Sequence, residues 1–385
     1  MRKKVLFIPS WFPDQADPIS GIFIQEQAVA LSKEFDIAVL IPGMAAWRNV
    51  LNQKDRSLKE SQAGLTIYRE FARPLIPHGP ESIDYQTFAR AAENGFRKIR
   101  NEWGTPDVIH AHVVLPGGWS AMKVAKRYGI PIVLTEHSSP FSMHLGTELS
   151  RRLVRETLNN VDRLIAISPS LAQQILDFQP GLKIDVIGES VRTDFFVPAN
   201  ANGQPHTTGK RFFVAARLAE QKGLEHLINA VHLLTEKGLN SFELVIGGDG
   251  PDREKLQQLA KSLGVAERCR FLGALNREQV RQQMQSCDVF VLSSLHETFG
   301  VVVGEAMACG KPVISTRCGG PEFIVNDETG VLVDVAKPQA LADAMTEFIL
   351  DRASFDPQTV RSSVVNRFSP EMFAKNVTAV YEQVW

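Results

Sequence analysis

The sequence predicts an α/β protein of two Rossmann-like domains facing an interdomain cleft, and three observations carry that reading. Short apolar runs alternate with helix-period patterns along the chain. The alternation stops at the polar tract "VPANANGQPHTTGK" (197–210) and restarts after it. The 385 residues are too many for one core and suit two domains of ordinary size.

The first half opens with "VLFIPS" (5–10), which reads as a buried strand. "FIQEQAVALSKEF" (23–35) has helical spacing, and "IAVLIPG" (37–43) returns to a strand. Further strands are expected at 107–114, 130–138, 163–168 and 183–188, with helices at 117–128, 148–160 and 169–177. Near-continuous apolar strands separated by helices imply parallel sheets covered on both faces. Residues 198–210 are aperiodic and rich in Pro, Gly and Asn, as in a linker. Beyond them, strands at 211–217, 242–248, 269–273, 288–294, 312–317 and 330–334 alternate with helices at 223–237, 251–263, 276–285 and 301–309. "SPEMFAKNVTAVYEQVW" (369–385) opens on a Ser N-cap with Glu in the first turn, the start signals of a closing helix. Domains are therefore expected at 1–197 and 211–368.

Composition excludes several classes of function. Lys and Arg number 42 against 43 Asp and Glu, so there is no basic excess to suit nucleic acid. Cys269, Cys287, Cys309 and Cys318 form no C-x-x-C pair and read as small buried residues of a reducing compartment. "MRKKVLFIPSWFP" has too short an apolar run for a signal peptide, and no run reaches membrane-spanning length. A cytoplasmic protein is expected, with docking on a membrane surface left open.

The chemistry concentrates in the second half. In open parallel sheets, ligands bind beyond the carboxyl ends of strands, near helix N-termini. "DVFVLSSLHETFGVVVGEAMACG" (288–310) places a strand end near Ser294, a loop with Glu297 and Gly300, and a helix from Val301. Free N–H groups at the helix start suit an anion, and Gly300 allows close approach to the backbone. Glu305, one turn into the helix, suits a vicinal diol such as a ribose, with Glu297 on the other side of the phosphate. As an isolated pair, the two glutamates are equally well read as solvated surface residues. Arg217, ending the strand of "RFFVAAR", and Lys222, just before the next helix, shift the balance, since both suit a diphosphate. "VIGGDGP" (245–251) is one more glycine-rich turn and weak alone.

These residues together resemble the retaining glycosyltransferase family 4, which has the GT-B fold, and the resemblance implies that the C-terminal helix, 369–385 in this chain, packs back on the first domain. The matching features are R-x4-K (Arg217, Lys222), G-G-D-G-P (247–251), "FLG" (271–273), E-x7-E (Glu297, Glu305) and "CGGPEFIVNDETGVLV" (318–333). The resemblance implies that Arg217 and Lys222 bind the donor diphosphate and stabilise the leaving group. It puts Glu305 on the ribose, Glu297 at the donor sugar, and the backbone of Phe299, Gly300, Val301 and Val302 along sugar and phosphate. Gly248, Asp249 and Leu272 fall in segments that contact the base through backbone, which leaves UDP-sugars and GDP-mannose both open.

In the first half, Gly21 matches a glycine that approaches the diphosphate. "DVIHAHVVLPGG" (107–118) matches the family's H-x-H segment. Strand alternation puts His110 and His112 on one face, and the resemblance brings His112 to the donor sugar. His137 in "TEHSSPF" is a weaker candidate. H-x-H also suggests a metal, with His78, His137 and His144 as conceivable partners, yet the spacing fits no zinc motif and no D-x-D triplet occurs. Neither metal nor cofactor is expected, the Arg, Lys and helix start carrying the phosphate charge. One departure stands out. Glu189 and Arg192 in "VIGESVRTDFF" replace the family's usual Asn and Asp, which bears on the hinge or on acceptor selection.

The expected reaction moves a sugar from a nucleotide-diphosphate sugar to a hydroxyl of a glycan or lipid-linked acceptor, in surface polysaccharide or glycolipid synthesis. Arg151, Arg152 and Arg155 lie beside Leu153, Val154, Leu158 and Val161. The plain reading is a core helix with a solvated basic edge, and the sharper one is contact with an anionic membrane. Three alternatives remain. A retaining glycosidase needs carboxylates about 5–5.5 Å apart, whereas eight helical steps separate backbones by roughly 12 Å. A nucleotide-sugar epimerase would form product without acceptor. A non-catalytic nucleotide-sugar binder would show no turnover.

Overall fold

A computed structural model describes residues 2–15, 17, 19–45, 57–74, 76, 79–199 and 209–385. Most of the expected linker, 200–208, and His78 lie outside the described residues. The chain divides into two compact units, Met1–Ser190 with Phe373–Trp385, and Val191–Met372.

The first unit is built on an eight-stranded sheet in the order β3-β4-β2-β1-β5-β6-β7-β8. Its strands are β1 (Lys4–Pro9), β2 (Asp36–Met44), β3 (Ser57–Gln62), β4 (Leu65–Ala72), β5 (Val108–His112), β6 (Ile132–Glu136), β7 (Arg163–Ala166) and β8 (Ile184–Val186). All neighbours are parallel except β3 and β4. The order reverses between β1 and β5, because the chain adds strands first to one side of β1 and then to the other. Helices α1 (Ile22–Leu31), α2 (Glu81–Glu102), α3 (Trp119–Tyr128), α4 (Glu148–Leu158) and α5 (Pro169–Phe178) connect them. Local chemistry starts two of these helices: Thr147 and Ser150 form a reciprocal cap on α4, and Ser168 caps α5 ahead of Pro169.

The second unit has strands β9 (Lys210–Ala215), β10 (Phe242–Gly247), β11 (Cys269–Gly273), β12 (Val289–Leu292), β13 (Val313–Thr316) and β14 (Gly330–Val333). Their order is β11-β10-β9-β12-β13-β14, all parallel, the Rossmann arrangement with its reversal between β9 and β12. Helices α6 (Leu224–Glu236), α7 (Arg253–Ser262), α8 (Arg277–Ser286), α9 (Val301–Ala308), α10 (Pro321–Ile324), α11 (Pro338–Ile349) and α12 (Pro357–Phe368) follow the strands. β12 is buried along its whole length, which is why its sequence is a continuous apolar run. All four cysteines are free and buried, and burial pushes each thiol up to about 12.

Several elements lie outside the sequence reading. β3, β4 and α2 fill a stretch with no assigned element. α2 buries Thr87, Ala89, Ala91, Ala92, Gly95, Phe96 and Ile99, mostly small residues. α11 and α12 were likewise unassigned. Residues 191–197, expected to end the first domain, group with the second unit: Val191 N donates to Phe368 O at 2.8 Å. The closing helix α13 (Pro370–Tyr381) joins the first unit from Phe373 onward, where Phe373, Val377 and Tyr381 enter the core around Phe7, Phe35 and Val39.

Candidate functional site

Both expected clusters fall at the reversal points, where diverging connections leave the carboxyl ends of two neighbouring strands open. In the second unit, Arg217 follows β9, and Lys222 ends a 3-10 turn at Glu220–Lys222. Glu297 lies in the loop between β12 and α9. The Lys222 ammonium donates to Glu297 Oε1 at 2.7 Å, and Ser294 Oγ donates to the same oxygen at 2.8 Å. The loop is tied down on both sides. Ser293 Oγ donates to Lys222 O at 3.0 Å, Leu295 N to Gln221 O at 2.9 Å, and Glu297 N to Cys318 O at 3.0 Å. Arg217 is exposed, and its guanidinium has no ion pair among the described residues.

Gly300 caps α9 at φ 91°, a left-handed turn that disfavours any side chain. Val301 and Val302 follow, half-buried, at positions whose N–H groups precede the first intrahelical acceptors. Phe299 turns its ring inward against Phe368, with centroids 5.2 Å apart, so only its backbone faces the loop. Gly248 and Asp249 follow β10, and Leu272 is half-buried near the end of β11. Asp249 accepts from Arg253 Nη1 at 2.9 Å and from Gly250 N at 2.8 Å, which shapes the turn.

Glu305 is buried on α9, and Arg277, first residue of α8, donates to its Oε1 at 2.6 Å. Arg277 also lies over the Phe196 ring, 5.1 Å from its centroid. Burial raises the Glu305 carboxyl above its ordinary value, opposed by the nearby Arg277 charge. A raised carboxyl contributes stability that is complete below the unfolded value of about 4.5 and is lost as pH rises through the folded one. Glu305→Gln is therefore expected to raise the melting temperature at neutral pH, since its exposed partner loses little. Melting curves at pH 7.5 check this, and an unchanged or lower midpoint would show that Arg277 fully compensates the buried charge.

In the first unit, Gly21 precedes α1 at φ 69°, and a Cβ there would lie 2.6 Å from the Trp11 backbone. His110 and His112 end β5 with ring centroids 4.2 Å apart, on one face as alternation requires. His110 is fully used: Nδ1 meets Tyr381 Oη at 2.6 Å and Nε2 meets Thr135 Oγ1 at 2.8 Å. His112 stacks on Phe7 and joins His137 through its Nδ1 at 3.0 Å. His112 Nε2 is buried and has no partner among the described residues. Val113, immediately after it, sits at φ 71°, an outlier for a β-branched residue and a sign of a constrained turn. His144 Nε2 meets Ser138 Oγ at 2.6 Å. No group of three metal-ligating side chains converges among the described residues.

Two site residues and one pairing escaped the sequence reading. Ser294 could have been noticed as a hydroxyl at a strand's carboxyl end. Arg277 and the partnership of His137 with Glu189 had no local signal. Glu189, read as bearing on the hinge or acceptor, is a buried partner of His137, and Arg192 pairs with Asp194 at 2.7 Å. On α4, Leu153, Val154 and Leu158 are buried, and Arg155 covers the Phe178 ring at 4.7 Å. The apolar side of that helix thus faces the core, which leaves only the exposed Arg151, Arg152 and Arg155 edge to face a membrane. Among the described residues no helix is long and apolar enough to cross one.

Comparison with known proteins bears on the family and the fold. Residues 26–195 match the model for Glycosyltransferase Family 4, and residues 199–361 that for Glycosyl transferases group 1. TuaC of Bacillus subtilis, a glycosyltransferase named for teichuronic acid biosynthesis, is 27% identical over 90% of this chain and 89% of its own length. The D-inositol 3-phosphate glycosyltransferase of Acidothermus cellulolyticus is 30% identical over 83% of this chain and 76% of its own. The crystal structure of Anabaena HepE in complex with UDP-glucose superposes with a TM-score of 0.73 and 18% identity, covering 100% of both chains. Two parallel-sheet units of this order, matched along most of their length by these relatives, place the chain in glycosyltransferase family 4, with the GT-B fold.

Proposed function

We propose that this enzyme transfers a sugar from a nucleotide-diphosphate sugar to a hydroxyl of a glycan or lipid-linked acceptor, with retention of configuration and without a metal. The observation that carries the reading is the convergence of Lys222, Glu297 and the α9 N-terminus at the reversal point of the second sheet. Lys222, the unpaired Arg217 and the first N–H groups of α9 supply positive potential for a diphosphate. Glu305 takes the ribose hydroxyls, exchanging part of its contact with Arg277. Glu297 takes the donor sugar. Gly248, Asp249 and Leu272 line the base, and Gly21 approaches the diphosphate. The buried free nitrogen of His112 is matched to a hydroxyl of the transferred sugar.

The acceptor attacks from the face that the diphosphate leaves, and a donor phosphate oxygen takes its proton, so no protein base is needed. Lys222 and Arg217 stabilise the charge that grows on the leaving phosphate. The name of TuaC supports an acceptor in surface polysaccharide synthesis, that of the D-inositol 3-phosphate enzyme points instead to a small phosphorylated polyol, and HepE with UDP-glucose supports a UDP-sugar. GDP-mannose is the competing donor.

Thermal shifts with UDP, GDP, ADP and their common sugar conjugates test the donor. A ligand at a hundred times its dissociation constant adds about 2.7 kcal/mol of stability. The expected result is a shift with one nucleotide that is lost in Glu305→Ala. No shift with any of them overturns the proposal. With the donor identified, the anomeric configuration of product is read by NMR, and the rate is expected to survive EDTA. Turnover without acceptor would instead indicate an epimerase, and binding without turnover a non-catalytic binder.

A further inference from the structure

Glu189 is the departure that the donor reading leaves unused, and it is buried at 2% exposure. Its two oxygens have separate partners. Oε1 meets His137 Nδ1 at 2.7 Å, and Oε2 accepts from Gln27 Nε2. His137 Nε2 in turn meets His112 Nδ1 at 3.0 Å. The result is a linear chain, Glu189–His137–His112, that ends on the unpartnered Nε2 of His112.

The chain has a direction. A carboxylate only accepts, so His137 must carry its proton on Nδ1. A protonated His137 would donate at Nε2 as well and move the His112 proton to Nε2; with the ring neutral, His137 Nε2 is bare and accepts from His112 Nδ1–H. His112 Nε2 is left with a lone pair and no proton. Burial holds the His112 pKa well below its ordinary value, which keeps the ring neutral. Glu136 holds the segment in place, accepting from His137 N at 2.9 Å, Ser138 N at 2.7 Å and Val114 N at 2.7 Å. A lone pair buried without a donor is costly, and a ligand hydroxyl would satisfy it.

We propose that Glu189 is a positioning residue that, through His137, fixes the tautomer of His112, so that Nε2 offers a lone pair to a hydroxyl of the transferred sugar. The second half of this statement rests on the donor reading given above. The first half does not.

The side-chain 15N spectrum of the ligand-free protein reads both imidazoles directly. In the wild type, His137 and His112 are expected as Nδ1–H tautomers. Glu189→Met removes the acceptor, and both rings should shift toward mixed tautomers. Glu189→Gln keeps an acceptor oxygen for His137, and Gln27, whose Oε1 has no partner among the described residues, can turn its amide to receive the new NH2. This conservative variant should restore the wild-type pattern, and it keeps the test usable if Glu189→Met folds poorly. In binding assays, Glu189→Met should weaken UDP-glucose roughly tenfold, the size of one hydrogen bond, while leaving UDP unchanged. Glu189→Gln should bind both like the wild type.

Unchanged tautomers in Glu189→Met, or a wild type with the proton on His112 Nε2, would overturn the relay. Equal weakening of UDP and UDP-glucose would reduce Glu189 to a structural role and overturn it as well. A wild type that binds neither probe but shows the expected tautomers would leave the relay standing and count against the UDP-sugar reading alone.

Discussion

Lys222→Ala is expected to lower the rate of sugar transfer by about a hundred- to a thousandfold, the effect of deleting one preorganised charge donor at a leaving group. The ammonium is held where it is needed before any ligand arrives. Its turn is closed by Lys222 N donating to Ala219 O at 2.9 Å, and its carbonyl receives the Ser293 hydroxyl from the end of β12. Its side chain and that of Glu297 are 21% and 14% exposed, so water competes weakly for their contact. Charge builds on the leaving diphosphate as the glycosidic bond breaks, and an interaction that strengthens then acts on turnover more than on donor affinity. The variant should fold, because Glu297 keeps the Ser294 hydroxyl and its backbone ties. Steady-state kinetics with varied donor decide the matter. A rate within threefold of wild type, or a loss confined to KM, would remove Lys222 from the chemistry.

Lowering the pH from 6.5 toward 4.5 is expected to destabilise the first unit steeply. His110 is wholly buried between Tyr381 and Thr135, and burial pulls its pKa down to about 3. The unfolded chain binds a proton there near 6.5 while the folded one refuses it until about 3. Stability from the neutral ring is therefore complete above 6.5 and is lost progressively as pH falls toward 3, by roughly 1 kcal/mol per pH unit. His112 is shifted in the same direction and steepens the loss. Glu305, in the second unit, is shifted the opposite way and favours acid. Melting followed across pH 7.5 to 4.5 in the wild type and in His110→Gln should show about one proton fewer taken up on unfolding in the variant. Identical slopes would mean that His110 does not stay neutral in the fold.

The sequence by itself determined the parallel sheets, the two units and the strand ends that carry Arg217, Lys222, Glu297 and His112. Those features are local. Apolar runs mark strands buried on both faces, and glycines mark turns whose backbone angles disfavour side chains. Local signals were weaker where burial used mostly small residues, as in α2, whose inward face is Thr87, Ala89, Ala91, Ala92 and Gly95 with only Phe96 and Ile99 large among them. They failed at the boundary, because Val191 is bound to Phe368 by a backbone hydrogen bond that no pattern near 191 announces.

The pairings were decided only by the tertiary structure. Lys222 and Glu297 lie 75 residues apart, Arg277 and Glu305 lie 28 apart, and His137 and Glu189 lie 52 apart. Whether two such side chains meet depends on strand order and on the face each helix turns inward, which the packing of whole cores settles. The sequence marked Glu189 only as a departure from the family's usual residue. Burial beside His137 is what makes it part of a hydrogen-bonded chain, since a carboxylate removed from water must find donors and here finds them on His137 and Gln27.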